Sequence, residues 1–358
     1  MTTPSQSVRV EALGTVGLST AGRLLLLYTG GTIGMTEDED GRLVPLDLSR
    51  LVSHLPIINR LPVSVTLTAF ADPIDSAAIQ PQHWLDIADA IVEHAPGHAG
   101  VVVLHGTDTM AYTAAALSFL LEGLDIPIVL TGAQRPITAI RSDGRENLVT
   151  AAAIALAQFE GTATVPEVTI FFDDVLLRGN CTSKVHADSY RGFASPNMGP
   201  LATAGVSIEY DRGAIRPPGQ PPLRRSGGLC TDVATLRLHP ALDEADLTAT
   251  LSRPGLRGLV IEAYGAGNGP NSGWFLDGLT AASERGVVVV VTTQCGAGSV
   301  RGGAYATGAA LLDTGAVPAL DMTFEASITK LMVLLDRYSV DEVRLLMQQD
   351  LAGELTTV

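Results

Sequence analysis

The chain has 358 residues, of which 46% are hydrophobic and 17% are charged, and its formal net charge is −15 at pH 7. This length favours about two domains, and the apolar share is sufficient for packed cores. The acidic balance argues against nucleic-acid binding, because that function needs a basic surface to replace the counterions of the phosphates.

The first residues lack the basic start and continuous apolar stretch of a targeting segment, so we expect residues 1–20 to be a loose extension. No apolar window approaches the roughly 20 residues that a membrane-spanning helix needs. The three cysteines are odd in number and widely spaced, which favours a reducing cytoplasm over a disulfide framework. Cysteines and histidines form no metal-ligand spacing, and we expect no metal and no other cofactor.

Strand and helix patterns alternate along the chain. Short apolar runs predict buried strands at 23–28, 65–70, 101–104, 126–130, 167–172, 258–262 and 287–291. Helical periodicity predicts helices at 81–94, 111–122, 144–158, 272–284, 302–312 and 340–348. This alternation implies right-handed crossover connections, and we predict an α/β fold with a mostly parallel sheet flanked by helices.

A change of composition predicts the domain boundary. Residues 211–228 carry four prolines and several glycines without apolar periodicity, which is typical of an exposed linker. We therefore expect a larger N-terminal catalytic α/β domain at 21–210 and a smaller C-terminal α/β domain at 229–358.

Two of the predicted strands end at a threonine in a glycine turn. LLLLYTGGTIGM, residues 24–35, contains Thr32, and VVVLHGTDTM, residues 101–110, contains Thr107 beside Asp108. The ligand crevice of an open parallel sheet lies beyond the carboxyl ends of its strands. We therefore expect both hydroxyls in one small pocket, where a neighbouring base is needed to activate a hydroxyl as a nucleophile.

Each of these residues also has an ordinary structural interpretation. Gly30 and Gly31 could present backbone N–H groups to an oxyanion, or simply make a tight turn before Thr32. Asp108 could bind a substrate ammonium or cap the following helix. His105 is more readily interpreted as a structural histidine with satisfied hydrogen bonds than as a catalytic one.

Lysine is nearly absent, because 21 of the 23 basic residues are arginine and only Lys184 and Lys330 remain. Of lysine and arginine, only lysine can give up its proton inside a protein. We expect Lys184, in the polar segment LRGNCTSKVHADS, to take part in proton transfer with Thr107, although a solvated loop lysine is the commoner case. We assign Lys330, in the amphipathic helical pattern SITKLMVLLD, to helix packing or a surface ion pair.

A polar corner follows the second predicted strand. Asp75 and Ser76, in ADPIDSAAI, could bind a substrate carboxylate and ammonium, or could form only a turn.

The motifs taken together resemble the L-asparaginase family, and most closely its bacterial cytoplasmic, type I branch. They are TGGTIG, HGTDTM, RSDG at 141–144, RGN followed by Lys184 and HAD, FASPN, YGAGN and TTQC, and the similarity covers roughly residues 23–357. The resemblance implies a two-domain α/β fold, hydrolysis of the side-chain amide of L-asparagine, and a homodimer or homotetramer.

Residue by residue, the resemblance implies that Thr32 is the acylated nucleophile. Thr107, Asp108 and Lys184 would form a second catalytic group that handles protons, and Asp108 would also bind the substrate's α-ammonium. Ser76 would hold the α-carboxylate with Asp75 alongside, and the remaining substrate-binding positions would be Gly31 and Gly106.

The sequence departs from the family pattern in the lid that follows the first motif. Where the family carries a tyrosine, this chain has Arg42, which has no acceptor and cannot act as a base. The alternatives are therefore an amidohydrolase for another amide, or a weakly active homologue that binds an amino acid. A transfer-RNA amidotransferase subunit is disfavoured by the acidic charge.

A second departure concerns regulation. Some type I members bind asparagine at a separate pocket that uses an arginine where this chain has Glu262, although Cys295 and Ser183 match or nearly match that pocket. A carboxylate at this position would repel the effector's carboxylate, so we expect no such activation.

Overall fold

The structure is a computed structural model, and it describes residues 10–16, 22–37, 40, 43–45, 63–301 and 306–356. The chain forms two compact units. Unit 1 comprises residues 1–195 and 199–226, and unit 2 comprises residues 196–198 and 227–358.

The described part of unit 1 contains seventeen strands and three helices. The strands are β1 Val10–Val16, β2 Arg23–Gly30, β3 Met35–Glu37, β4 Leu43–Pro45, β5 Ser64–Ile74, β6 Gly100–Leu104, β7 Leu121–Glu122, β8 Ile128–Thr131, β9 Gln158–Phe159, β10 Thr162–Ala163, β11 Val168–Phe172, β12 Val175–Arg178, β13 Ser183–Lys184, β14 Phe193–Ala194, β15 Ala202–Ala204, β16 Ile208–Tyr210 and β17 Arg224–Arg225. The helices are α1 Pro81–His94, α2 Met110–Leu120 and α3 Gly144–Leu156.

Nine of these strands form the main sheet, in the order β1-β5-β2-β6-β8-β11-β12-β15-β16. The central block from β5 to β11 is parallel, and antiparallel strands extend it at both edges. Every residue of β6, β8 and β11 is buried, as expected for parallel strands covered on both faces. The carboxyl ends of the parallel strands therefore meet at one edge of a rigid platform.

The described part of unit 2 repeats the α/β design on a smaller scale. Its strands are β18 Val233–Arg237, β19 Gly258–Ala263, β20 Val288–Thr293 and β21 Val317–Pro318, and its helices are α4 Glu244–Leu251, α5 Gly273–Glu284, α6 Ala306–Asp313, α7 Phe324–Arg337 and α8 Val340–Leu346. The four strands are parallel in chain order. The predicted two-domain α/β fold, with the larger sheet in the N-terminal part, is confirmed.

All seven predicted strands are present within four residues of their predicted ends, and five of the six predicted helices are present at similar ranges. The sixth, predicted at 302–312, is observed at Ala306–Asp313, while residues 302–305 lie outside the described residues. The prediction did not include α4, which has only eight residues and one buried side chain.

The segments predicted as extension and linker contain regular structure. Residues Val10–Val16 of the expected extension pair antiparallel with β5, while 1–9 and 17–21 lie outside the described residues. In the expected linker, β17 pairs with β7, and the N–H of Gly219 donates to the carbonyl of Leu124. The domain ranges given above stay a prediction.

Lys330 was assigned to helix packing or a surface ion pair, and the surface position is wrong, because this lysine is fully buried. Its ammonium lies 2.6 Å from the carboxylate of Glu354, which is equally buried, and also donates to the carbonyl of Gln349 at 2.6 Å. The C-terminal segment thus folds over α7 and covers the ion pair, and the amphipathic pattern of the helix could not show that cover. Within the described residues, no helix has the length and apolar character needed to cross a bilayer.

Candidate active site

The two threonine turns touch each other at the carboxyl edge of the sheet. β2 and β6 are parallel neighbours, and the register pairs Tyr28 with Leu104 just before the turns. Gly31 has φ +93°, and a side chain there would collide with the backbone of Gly106. Thr32 and Thr107 therefore follow two glycines whose backbones are in contact.

Ser76 joins this edge from β5. A side chain at Gly106 would collide with the hydroxyl of Ser76, so these two residues are also in contact. The N–H of Asp108 donates to Ser76 Oγ at 3.3 Å, and the hydroxyl of Thr109 donates to the Ser76 carbonyl at 2.8 Å. The three strand-end segments thus form one continuous backbone surface.

Lys184 reaches the site from a short hairpin. β13 pairs with β14, with Lys184 opposite Phe193. The ring of Phe193 is buried and packs against Phe172, at 5.1 Å between ring centroids, and Ser195 Oγ donates to the Cys181 carbonyl at 2.9 Å. The hairpin is therefore held against β11, and the lysine is presented from a fixed support.

The ammonium of Lys184 contacts both predicted partners. It donates to Thr107 Oγ1 at 3.0 Å and to Asp108 Oδ1 at 2.5 Å. Because Lys184 donates to the threonine oxygen, the hydroxyl proton of Thr107 remains available to an acceptor in a ligand. Lys184 and Asp108 thus form an ion pair, in which the side chain of Lys184 is 17% exposed and that of Asp108 is 58% exposed.

The two aspartates have different partners. Thr109 is the N-cap of α2 and no side chain caps that helix, so Asp108 does not serve as its cap. Asp75 is exposed and accepts a hydrogen bond from the N–H of Ala77 at 3.0 Å, at the start of a single 3₁₀ turn. Asp75 therefore has at least the turn role that its sequence context predicted.

Thr32 starts a 3₁₀ turn and is partly exposed. Within the described residues its hydroxyl makes no hydrogen bond. Tyr28 lies beneath the turn and donates to the Gly34 carbonyl at 3.3 Å, and burial raises the pKa of this phenol to about 12. Tyr28 is thus a structural donor and not a substitute for the absent lid phenol. Arg42, the residue at the lid position, lies outside the described residues.

A fourth strand-end segment, after β8, went unassigned from the sequence. A side chain at Gly132 would collide with the His105 carbonyl, which places this segment against the second threonine turn. The carboxylate of Asp143 accepts from the N–H groups of Gln134 and Arg135, and the side chain of Asn147 donates to the Gly132 carbonyl at 3.1 Å. This aspartate belongs to the RSDG motif. The motif was recognised in the sequence, but no role could be assigned to it there.

A cavity of about 390 Å³ opens near the segments that follow β8 and β13. None of the predicted catalytic residues lines this cavity. The lining residues are Gln134, Arg135, Arg141, Ala187, Asp188 and Tyr190. The candidate site is therefore defined by hydrogen bonds at the strand ends and not by this cavity.

In unit 2, Glu262 of β19 lies opposite Arg237 of β18 in the parallel register. Its carboxylate accepts a hydrogen bond from the guanidinium of Arg237 at 3.0 Å. Its side chain is 18% exposed. Cys295 is exposed, and its N–H donates to Thr293 Oγ1. The carboxylate at this position already has a cationic partner within unit 2.

Comparison with known proteins covers both units. The family model described as Asparaginase, N-terminal, matches residues 23–216, and the model described as Glutaminase/Asparaginase C-terminal domain matches residues 232–347. L-asparaginase 1 of Escherichia coli strain K12 is 40% identical over 336 residues, which cover 93% of this chain and 98% of that protein.

Solved structures give the same result. L-asparaginase I from Vibrio cholerae matches with a TM-score of 0.84 and 36% identity, over 94% of this chain and 99% of that chain. The thermostable L-asparaginase from Thermococcus kodakarensis matches with a TM-score of 0.85 and 34% identity, over 94% of this chain and 100% of that chain. From these matches and the architecture described above, the chain belongs to the asparaginase family, and the resemblance to its type I branch is confirmed.

Proposed function

We propose that this protein hydrolyses the side-chain amide of L-asparagine to L-aspartate and ammonia, with Thr32 as the nucleophile. The observation that carries the proposal is the contact of Lys184 with Thr107 and Asp108 beside the touching turns of Gly31 and Gly106. Members of the family that match nearly the whole chain are named L-asparaginases, which supports this substrate.

The reaction proceeds in two steps. The Thr32 oxygen attacks the side-chain carbonyl carbon, its proton passes to the amide nitrogen, and ammonia leaves from a β-aspartyl ester on Thr32. Water then attacks the ester, releases aspartate and restores the hydroxyl. In both steps the negative charge on the carbonyl oxygen is stabilised by backbone N–H groups of the glycine turns.

The remaining residues bind and orient the substrate. Ser76 binds the α-carboxylate with Asp75 alongside, and the exposed carboxylate of Asp108 accepts a charge-assisted hydrogen bond from the α-ammonium. Thr107 and Lys184 handle the proton of the attacking water, for which their hydrogen bond of 3.0 Å is suited.

The second candidate is an amidohydrolase for another amide or a weakly active amino-acid-binding homologue. The specific observation in its favour is Arg42, because a changed lid alters what a pocket closes over and supplies no phenol. Ammonia release from L-asparagine, L-glutamine, D-asparagine and larger amides separates these cases. Arg42→Tyr raises the turnover of asparagine if the absent phenol limits the reaction.

The experiment that tests the nucleophile is Thr32→Ala, with ammonia release and thermal unfolding measured together. We expect turnover of asparagine to be lost while the unfolding temperature stays close to that of the wild type. Thr203→Ala, on an exposed strand position outside the site, is the matched control and keeps full activity. Retained turnover in Thr32→Ala would refute the assignment.

We further propose a cytoplasmic location and a homodimeric or homotetrameric assembly. Cys181, Cys230 and Cys295 are all free thiols, which is consistent with a reducing compartment. The assembly rests on the family resemblance, and light scattering of the purified protein measures it directly.

A further inference from the structure

His105 is fully buried directly before the second threonine turn, and both of its ring nitrogens have partners. Nδ1 lies 2.7 Å from the carbonyl oxygen of Gly106, and Nε2 lies 2.9 Å from Thr113 Oγ1. Trp84 Nε1 donates to the same hydroxyl at 3.1 Å. A hydrogen-bonded chain thus runs from α1 through α2 to the peptide that precedes Thr107.

Chemistry assigns a direction to each of these hydrogen bonds. A carbonyl oxygen only accepts, so His105 Nδ1 carries a proton and donates to Gly106. Burial lowers the pKa of His105 to about 4, so the ring is neutral and its Nε2 is an acceptor. Thr113 therefore donates its proton to Nε2 and accepts from Trp84, and every member of the chain is satisfied.

The hydrogen bond from His105 determines where the Gly106–Thr107 peptide points. In a trans peptide the C=O and N–H groups point in opposite directions. Because the Gly106 carbonyl is turned toward the buried ring, the N–H of Thr107 is turned away from it. Within the described residues this N–H has no acceptor, although Thr107 is only 7% exposed. A buried, unpaired donor next to the contact of Thr107 with Lys184 is available to a bound ligand.

We propose that His105 is a positioning residue, whose Nδ1–H holds the Gly106–Thr107 peptide so that the Thr107 N–H faces the substrate carbonyl oxygen. The inference rests on the proposed function, because negative charge develops on that oxygen during acyl transfer and the Thr107 N–H stabilises it. The histidine itself touches no reacting atom, and it transfers no proton.

Two amide variants separate this role from general support of the fold. The nitrogen of an asparagine side chain can occupy the place of Nδ1, so His105→Asn keeps the hydrogen bond to Gly106 and loses the one to Thr113. The side chain of His105→Gln reaches the place of Nε2 and has the opposite effect. Trp84→Phe removes the far end of the chain and is the control for lost stability alone.

We expect His105→Asn to keep kcat near the wild-type value, whereas His105→Gln loses roughly 10²-fold in kcat with little change in KM, the size reported for loss of one oxyanion donor. Trp84→Phe lowers the unfolding temperature and leaves kcat near that of the wild type. Equal activity of the two amide variants, or a loss of kcat that follows the unfolding temperature in all three, would overturn the inference.

Crystal structures of the two amide variants give a readout that does not depend on turnover. The Gly106–Thr107 peptide keeps its orientation in His105→Asn and rotates in His105→Gln. An unchanged peptide in both variants contradicts the inference. Failure of the wild type to release ammonia from asparagine contradicts the proposed function instead, while the peptide orientation still tests the role of His105.

Discussion

At the scale of single residues, the two lysines of the chain lie in different environments. Lys184 donates to Thr107 and Asp108 at the sheet edge, whereas Lys330 is enclosed with Glu354 in unit 2. The scarcity of lysine drew attention to Lys184, and its expected part in proton transfer with Thr107 stays a prediction. The scarcity could not show that Lys184 is salt-bridged, because the partner carboxylate comes from a segment 76 residues away.

Removal of the Lys184 amine tests its part in proton transfer. We expect Lys184→Met to lower kcat by roughly 10²- to 10⁴-fold, the usual range for loss of a positioned acid or base. Lys184→Arg is expected to remain poor as well, because a guanidinium does not give up its proton. The measurement is steady-state ammonia release from asparagine.

The control for Lys184 is Arg191→Met, near the same hairpin, which removes an exposed cation and leaves kcat unchanged. High activity of Lys184→Arg would show instead that the site needs only a positive charge. In that case the proton of the attacking water must leave by another group.

Other residues show where sequence interpretation reaches its limit. The capping alternative for Asp108 was excluded only by the structure of the helix that follows it. Asp75 holds a turn, and its part in substrate binding stays a prediction. His105 was correctly interpreted as structural, but its link to Gly106 depends on a ring orientation that no pattern reveals.

At the scale of elements, strands were the best predicted part of the fold. Buried parallel strands are continuous apolar runs, and their ends are marked by glycine and polar residues. The site, in contrast, is assembled by contacts between glycine backbones, such as that of Gly31 with Gly106. A glycine in the sequence indicates conformational freedom but does not say which backbone lies against it.

The buried ion pair that joins α7 to the C-terminal segment contributes to the free energy of unfolding. In Lys330→Met the carboxylate of Glu354 is left buried without its cation, and loss of one partner of such a pair costs about 3–5 kcal/mol. We expect the free energy of unfolding to fall by about this amount in denaturant titrations. Arg237→Met, which removes a cation that is 63% exposed from its pair with Glu262, is the control and lowers the free energy of unfolding much less.

The free energy lost in Lys330→Met should be partly recovered by the double variant Lys330→Met/Glu354→Gln, because no buried charge then remains. Equal stability of Lys330→Met and the wild type would contradict the account of this ion pair.

His105 also makes stability depend on pH. Its pKa is lowered from 6.5 to about 4 in the folded protein, so between these values the unfolded chain binds a proton that the folded protein excludes. Stability contributed by the neutral ring is therefore complete above pH 6.5 and is lost as the pH falls toward 4, by roughly 3 kcal/mol at about 1.4 kcal/mol per pH unit.

Unfolding of the wild type and of His105→Asn across this pH range measures the contribution of the imidazole. Carboxylates titrate in both proteins, and only the wild type has the additional loss. Parallel stability curves for the two proteins would show that His105 is not held neutral.

At the scale of the whole molecule, the α/β fold and the family membership were both correctly predicted, because different family motifs are distributed over nearly the full chain. The two units each have their own parallel sheet and core. Assembly and location stay proposals, since neither composition nor the described residues determine how copies of the chain associate.

Glu262 leads to a prediction about how the rate depends on substrate concentration. With a carboxylate at this position, already paired with Arg237, we expect the rate to depend hyperbolically on asparagine concentration. Initial rates over a wide concentration range test this. A sigmoidal curve that becomes hyperbolic in Glu262→Gln would show that an effector site operates despite the carboxylate.

The proposed mechanism places the acyl group on Thr32 and not on Thr107. Rapid acid quench of the enzyme with asparagine, followed by tryptic peptide mass analysis, locates this group, because Arg42 and other arginines separate the two threonines. We predict a β-aspartyl adduct on the peptide that contains Thr32 and none in Thr32→Ala. An adduct on Thr107, or full turnover by Thr32→Ala, would contradict the account.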